Sequence, residues 1–158
     1  MKTENTTIRV YETADVEGLS RIWLEASSEV HAFIGEDRLR EQQTLVETVY
    51  LPRAETWVAM RDGEQAGFIS LMEDFIGGLF VSPRHQGYGI GRLLVAHALA
   101  LKGQLQLEVY TANDRAYAFY RALGFEEVSR RPSDDQGLPF ENAQMLLKPV
   151  AASSVEPR

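Results

Sequence analysis

Apolar positions change period several times along this chain, and each change marks an element. Ile8-Arg9-Val10-Tyr11 alternates as a strand. Thr13-Ala14-Asp15 offers a helix N-cap, and Leu19, Ile22, Trp23 and Ala26 follow at helical spacing, so a first helix is expected to end near Ser27-Ser28. A second helix is expected from Asp37 to Tyr50, with Leu39, Leu45, Val46 and Val49 inward, its Glu and Gln residues in water, and Pro52 closing it. Period two then returns. Glu55 to Met60 and Ala66 to Met72 flank Arg61-Asp62-Gly63-Glu64, a hairpin signal, and Phe75 to Val81 forms a third strand after the turn at Glu73-Asp74. The pair Gly77-Gly78 inside that strand marks either a bulge with a close approach or a simple kink. Ile90, Leu93, Leu94, His97, Ala98 and Leu101 give the next helix a core face, ended by Lys102-Gly103. A histidine on such a face is ordinarily a packed core residue. Leu105 to Tyr110 alternates again, with Gln106, Glu108 and Tyr110 on the face opposite the apolar one. Asp114 to Leu123 is helical with Ala116, Phe119, Tyr120 and Leu123 on one side and Gly124 as its left-handed terminus; strands at Phe125 to Val128 and Ala143 to Leu147 follow. The order predicts an α/β chain, a mixed sheet flanked by helices, in one domain.

The chemistry concentrates at residues 79–92. Leu79-Phe80-Val81 runs into Ser82-Pro83, and Gln86-Gly87-Tyr88-Gly89-Ile90-Gly91-Arg92 leads straight into a helix. A helix N-terminus presents unpaired N–H groups and the positive end of the helix dipole, and glycines let that backbone approach an anion, so this stretch suits phosphate. Two familiar phosphate loops do not fit. Both the dinucleotide G-x-G-x-x-G and the G-x-x-x-x-G-K-[ST] patterns need a glycine where Arg92 stands.

Composition narrows the partners. The 158 residues are 44% hydrophobic and 25% charged, ordinary for a folded domain, and the net charge of −7 argues against nucleic acid, which needs a basic face. Absence of cysteine removes disulfides, thiolate catalysis and cysteine zinc sites, and three scattered histidines have no metal spacing, so no metal is expected. The polar N-terminus and the lack of any apolar run approaching ~18 residues point to no signal peptide and no membrane partner, hence a cytoplasmic location.

Gln86-x-x-Gly89-x-Gly91 fits [QR]-x-x-G-x-[GA], and Asn113-x-x-Ala116-x-x-Phe119-Tyr120-x-x-x-Gly124-Phe125 follows it in register. Together they resemble the two signature motifs of the GCN5-related N-acetyltransferase (GNAT) family. The resemblance implies the GNAT fold, an α/β (α+β) arrangement with a mixed, mostly antiparallel sheet of about seven strands flanked by about four helices. Length suits a single domain, expected over residues 1–150, with 151–158 a small-residue tail expected to be disordered. His31-x-Phe33, Gly67 to Met72, Leu107 to Tyr110 and Asp134 to Pro139 resemble small bacterial single-domain members, some of which act on protein lysines.

The resemblance also implies acetyl-coenzyme A as the acyl donor, transferred directly to a primary amine in a ternary complex. A protein lysine or N-terminal amine is the first expectation. A small polyamine, amino acid or antibiotic is the second, and a non-catalytic acyl-CoA sensor the third. The diphosphate falls to Gln86, Gly87, Tyr88, Gly89, Ile90, Gly91 and Arg92, and the pantetheine and thioester to the main chain of Leu79, Phe80 and Val81, with an amide near Phe80 or Val81 as oxyanion donor. Tyr120 is the expected general acid, since a phenol keeps its proton at pH 7; the plain reading is a core tyrosine. Asn113 contacts coenzyme A or caps its helix. Glu108 is the expected base or else a solvated strand charge, with Glu73 as fallback. His31 and Phe33 are candidate acceptor-site residues, or a core plug in a loop. Asp134-Asp135 is an acidic pair able to attract an amine or part of a plain connection. A monomer or homodimer is expected.

Overall fold

The computed structural model describes residues 5–30, 35–134 and 137–148. The elements are β1 (Thr6–Val10), a 3-10 turn (Thr13–Asp15), α1 (Val16–Val30), α2 (Glu36–Leu45), a π-helical turn (Val46–Tyr50), α3 (Leu51–Arg53), β2 (Glu55–Arg61), β3 (Glu64–Met72), β4 (Phe75–Val81), a second 3-10 turn (Pro83–His85), α4 (Ile90–Lys102), β5 (Leu105–Tyr110), α5 (Asp114–Ala122), β6 (Glu126–Arg131) and β7 (Asn142–Leu147). The seven strands form one sheet in the order β1-β2-β3-β4-β5-β7-β6. The β4–β5 step is parallel, pairing Phe75 with Gln106 and Ile76 with Leu107, whereas β1–β2, β2–β3, β5–β7 and β6–β7 are antiparallel. No helix among the described residues is long and apolar enough to cross a membrane, and no cluster of three metal-ligating side chains occurs among them.

Two compact units divide the chain. The first comprises the residues through Glu73 together with Gly77–His97; the second comprises Asp74–Ile76 and the residues from Ala98 on. In the first, Leu19, Ile22 and Trp23 of α1 close over Val58 and Phe68 of the sheet, with Leu39, Val46 and Leu51 completing the cluster. Phe80 reaches it with its ring, 5.5 Å from Phe68 and edge-on to Trp23 at 6.3 Å. The β2–β3 connection is a two-residue turn in which Asp62 and Gly63 both have positive φ, 55° and 81°. That backbone twist matches the flanking strands, and Asp-Gly adopts it readily. In the second unit Leu105, Leu107 and Val109 of β5, Phe125, and Ala143, Met145 and Leu147 of β7 are buried, as the alternation on β5 predicts.

The helices differ from the periodic reading in four places, two of them boundaries. Helix α1 continues to Val30. Pro52 does not terminate the second helix; it lies in the first turn of α3, where no N–H is required of it. The π-helical turn just before it widens the backbone, which relieves the clash a proline ring makes with the carbonyl four residues back. Leu101 is half exposed rather than buried, and the inward face of α4 is Ile90, Leu94, Val95 and Ala98. The polar side of the second helix is also engaged, because Gln43 donates to the buried Ser20 hydroxyl at 3.0 Å and Ser20 donates to Glu47.

Asp15 does more than open α1. Its carboxylate accepts two bonds from Arg9, one from the Gln65 amide and one from the Glu12 N–H, each 2.8 Å, tying β1, β3 and the start of α1 together. Gly18 leaves room for this knot, since a Cβ there would lie 1.7 Å from Gln65 Oε1 and would displace that side chain from Asp15.

Candidate active site

The phosphate-loop residues lie in the first unit, where β4 ends and α4 begins. Ser82 is buried, Pro83–His85 forms one 3-10 turn, and Gln86 sends its side-chain amide back to the Val81 carbonyl at 3.3 Å. Gly87 and Gly89 have φ of 87° and 80°, the left-handed region that costs a side chain roughly 1 kcal/mol or more. No atom lies within 4 Å of a Cβ built on Gly87, so the glycine there serves conformation and leaves open space over the backbone. Leu93 N–H donates to Gly89 O at 3.0 Å. The amides of Ile90, Gly91 and Arg92 therefore precede the helical ladder of α4, as at any helix start. Tyr88 stands between the two left-handed glycines with the Arg61 guanidinium 3.5 Å above its ring centroid.

Strand β4 reaches this loop half-buried. Ser82 N–H pairs with Ala66 O at 2.8 Å, and a Cβ on Gly67 would lie 2.6 Å from Phe80 O. Gly67 thus permits the close approach of β3 and β4. The glycine pair within β4 has a different cause: a Cβ on Gly78 would lie 2.8 Å from the Phe80 ring, and one on Gly77 3.0 Å from the Met72 methyl.

Glu108, Asn113 and Tyr120 lie in the second unit. Glu108 is half-buried on β5, and both its carboxylate oxygens lie 3.0 Å from Arg131 Nη2 at the end of β6. Sequence spacing did not mark Arg131 as its partner, because β7 lies between β5 and β6 in the sheet. Asn113 is buried and caps α5, its Oδ1 accepting from Ala116 N–H at 3.1 Å.

Helix α5 ends in a Schellman motif, which accounts physically for the spacing Tyr120-x-x-x-Gly124-Phe125. Gly124, at φ 107°, donates to Arg121 O at 3.0 Å, and Phe125 N–H donates to Tyr120 O at 3.0 Å. The accompanying apolar contact is between the rings of Tyr120 and Phe125, 5.4 Å apart and edge-on, with the Phe119 ring at 5.2 Å on Tyr120 as well. Burial among these rings pushes the Tyr120 phenol well above its ordinary value. Among the described residues nothing hydrogen-bonds its hydroxyl. No residue of α5 is fully buried.

The remaining candidates fall elsewhere. Glu73 is exposed, with φ 57°, in the turn before β4. A strand of this length sets it roughly 20 Å from Val81. Asp134 organises its own loop, accepting from Leu138 N–H at 2.9 Å and from the Tyr110 hydroxyl at 3.3 Å. His31, Phe33 and Asp135 lie outside the described residues. His97 is half-buried, and its ring packs edge-on against Trp57 at 4.4 Å. The structure thus gathers residues 79–92 in one unit and Glu108, Asn113 and Tyr120 in the other.

Comparison with known proteins gives concordant results. Residues 52–127 match the family model described as an acetyltransferase (GNAT) domain. The chain is 35% identical over 133 residues to the peptidyl-lysine N-acetyltransferase YiaC of Escherichia coli K12, spanning 84% of this chain and 91% of that protein. It is 35% identical over 125 residues to the peptidyl-lysine N-acetyltransferase YjaB of the same organism, spanning 78% of this chain and 84% of YjaB. The solution structure of apo YjaB from E. coli superposes with a TM-score of 0.83 at 31% identity, covering 90% of this chain and 97% of that one.

Proposed function

Because the chain belongs to the GCN5-related N-acetyltransferase family and is an acetyl-CoA-dependent N-acetyltransferase, we propose that its acceptor is the side-chain amine of lysine in proteins. Two relatives, each 35% identical, are named as peptidyl-lysine N-acetyltransferases, and a net charge of −7 suits a cationic acceptor. The observation that carries the donor side is the glycine loop: the amides at the start of α4, preceded by two left-handed glycines, suit the diphosphate of acetyl-CoA. Residues 1–150 act as one catalytic domain.

The reaction joins the lysine nitrogen to the acetyl carbonyl carbon and breaks the carbon–sulfur bond. Free lysine, with pKa ~10.4, is protonated at neutral pH, so one proton must first leave the ammonium. Glu108 takes it through water, its carboxylate held in place by Arg131. Backbone alternation supports the Val81 N–H as oxyanion donor: Ser82 N–H is spent on Ala66 O, and the preceding amide points away from β3, the side from which the carbonyl oxygen would be received. Tyr120 protonates the departing thiolate, and the second nitrogen proton restores the phenol. Its raised pKa keeps the phenol protonated throughout the working range. Asn113 holds α5 in place and with it Tyr120.

Thiol release from acetyl-CoA with lysine-containing peptides tests the reading. Tyr120→Phe and Glu108→Gln each lower kcat about 10²-fold with little change in cofactor affinity, whereas Gly89→Glu abolishes coenzyme A binding in a folded protein. Full turnover in Tyr120→Phe removes the acid assignment. Acetylation of polyamines, free amino acids or antibiotics in preference to peptides replaces the acceptor, and tight acetyl-CoA binding without any acetylated amine identifies a sensor.

A further inference from the structure

Arg61 and Glu64 close the Asp62-Gly63 turn as a directly opposed cross-strand pair, which brings their side chains to the same face of the hairpin. Between them sits His85, 5% exposed, from the 3-10 turn that precedes the phosphate loop. Arg61 Nη1 lies 3.1 Å from His85 Nδ1, and Glu64 Oε1 lies 3.1 Å from His85 Nε2. A guanidinium has donors and no acceptor, so Nδ1 carries the lone pair and Nε2–H donates to the carboxylate. Each ring nitrogen thereby has the complementary partner, and one tautomer is selected. Arg84 places a cation on Glu64, at 3.1 and 3.3 Å. The same Arg61 guanidinium lies 3.5 Å from the ring centroid of Tyr88.

We propose that the hairpin pair Arg61 and Glu64, gripping His85, is a positioning device that holds the phosphate loop ready for acetyl-CoA through the Arg61–Tyr88 stack. Tyr88 has a left-handed glycine on either side, so its own neighbours restrain it little. A loop with that freedom loses it on binding, and an anchor made beforehand removes that cost from the affinity. Arg61 acts through Tyr88, so its effect belongs to donor binding and not to acyl transfer.

The inference rests on the glycine loop being the acetyl-CoA site, and the two are separable by calorimetry of coenzyme A binding combined with initial rates. In Arg61→Ala, Kd for coenzyme A and KM for acetyl-CoA rise roughly five- to tenfold, the range expected for a cation–π contact, while kcat at saturating acetyl-CoA stays within about twofold. Tyr88→Leu raises the same constants by a similar factor, and the double variant is no weaker than either single one, because both remove one contact. Arg61→Lys keeps the charge without the flat guanidinium and recovers less than half of the lost affinity. Thermal melts confirm that each variant is folded. Unchanged affinity in folded Arg61→Ala, additive losses in the double variant, or complete recovery by lysine overturns the positioning role. If Gly89→Glu binds coenzyme A normally, the site assignment itself fails; if Gly89→Glu loses binding while Arg61→Ala keeps it, only the clamp fails.

Discussion

Asp15→Asn is a measurable test of what fastens α1 to the sheet. Asp15 is 5% exposed, and its carboxylate receives four 2.8 Å hydrogen bonds, two of them from Arg9. The Arg9 guanidinium first, then the Glu12 N–H and the Gln65 amide, outweigh burial and hold its pKa down to about 2 from an ordinary 3.8. At 1.36 kcal/mol per pH decade, that difference is worth about 2 kcal/mol of folding stability. The sign follows from the depressed folded-state value: the stability is fully present above the unfolded pKa and is lost as pH falls through the folded one. Asparagine cannot ionise, and its NH₂ would meet a donor from Arg9, Glu12 or Gln65 whichever way the amide is turned. Urea unfolding of both proteins across the acid range isolates this group, since other carboxylates titrate in both. The stability gap between wild type and Asp15→Asn is widest above about pH 5 and narrows by about 2 kcal/mol by about pH 2. A gap that stays constant to within about 0.5 kcal/mol over that range would refute the assignment of the depressed pKa to this cluster.

Two glycine substitutions probe the strands and helix around the site. Gly67→Ala places a methyl 2.6 Å from Phe80 O and 3.3 Å from Val81 Cα, backbone atoms that yield only if β3 and β4 separate. A loss of about 1–3 kcal/mol in urea unfolding is expected, together with a raised KM for acetyl-CoA; an unchanged midpoint contradicts the close approach. Gly124→Ala forces a side chain to φ 107°, costing about 1–3 kcal/mol and lowering Tm by roughly 3–10 °C. Because the same turn seats Phe125 on Tyr120, kcat falls as well, and a Tm within about 1 °C of wild type removes the Schellman argument.

Local chemistry was legible in the sequence wherever one short stretch decides the outcome. Asp62-Gly63 fits a turn that needs two positive φ values, and the Tyr120-to-Phe125 spacing encodes a helix terminus that carries its own apolar contact. Alternation on β5 separated Leu105, Leu107 and Val109 from Glu108 because one face of that strand is buried. What could not be read are contacts between distant segments. His85 meets Arg61 and Glu64 across 24 and 21 residues, and Glu108 meets Arg131 across 23. A partial signal existed in Arg61-x-x-Glu64, whose opposed positions on a two-residue hairpin point to a shared face. Pro52 misled because the usual rule for proline assumes an α-helical turn before it, and the π-turn removes that assumption.

Helix α5 is secured at its two extremities, by the Asn113 cap and by the turn at Gly124, and none of its own residues is fully buried. Asp114, Arg115, Ala118 and Ala122 are exposed along its length. Mutational drift at these four positions carries little penalty, whereas the bracketing asparagine and glycine are confined by geometry. Descendants of this protein can therefore repaint the outward side of that helix, and so acquire new docking preferences, while the phenol beneath keeps its post.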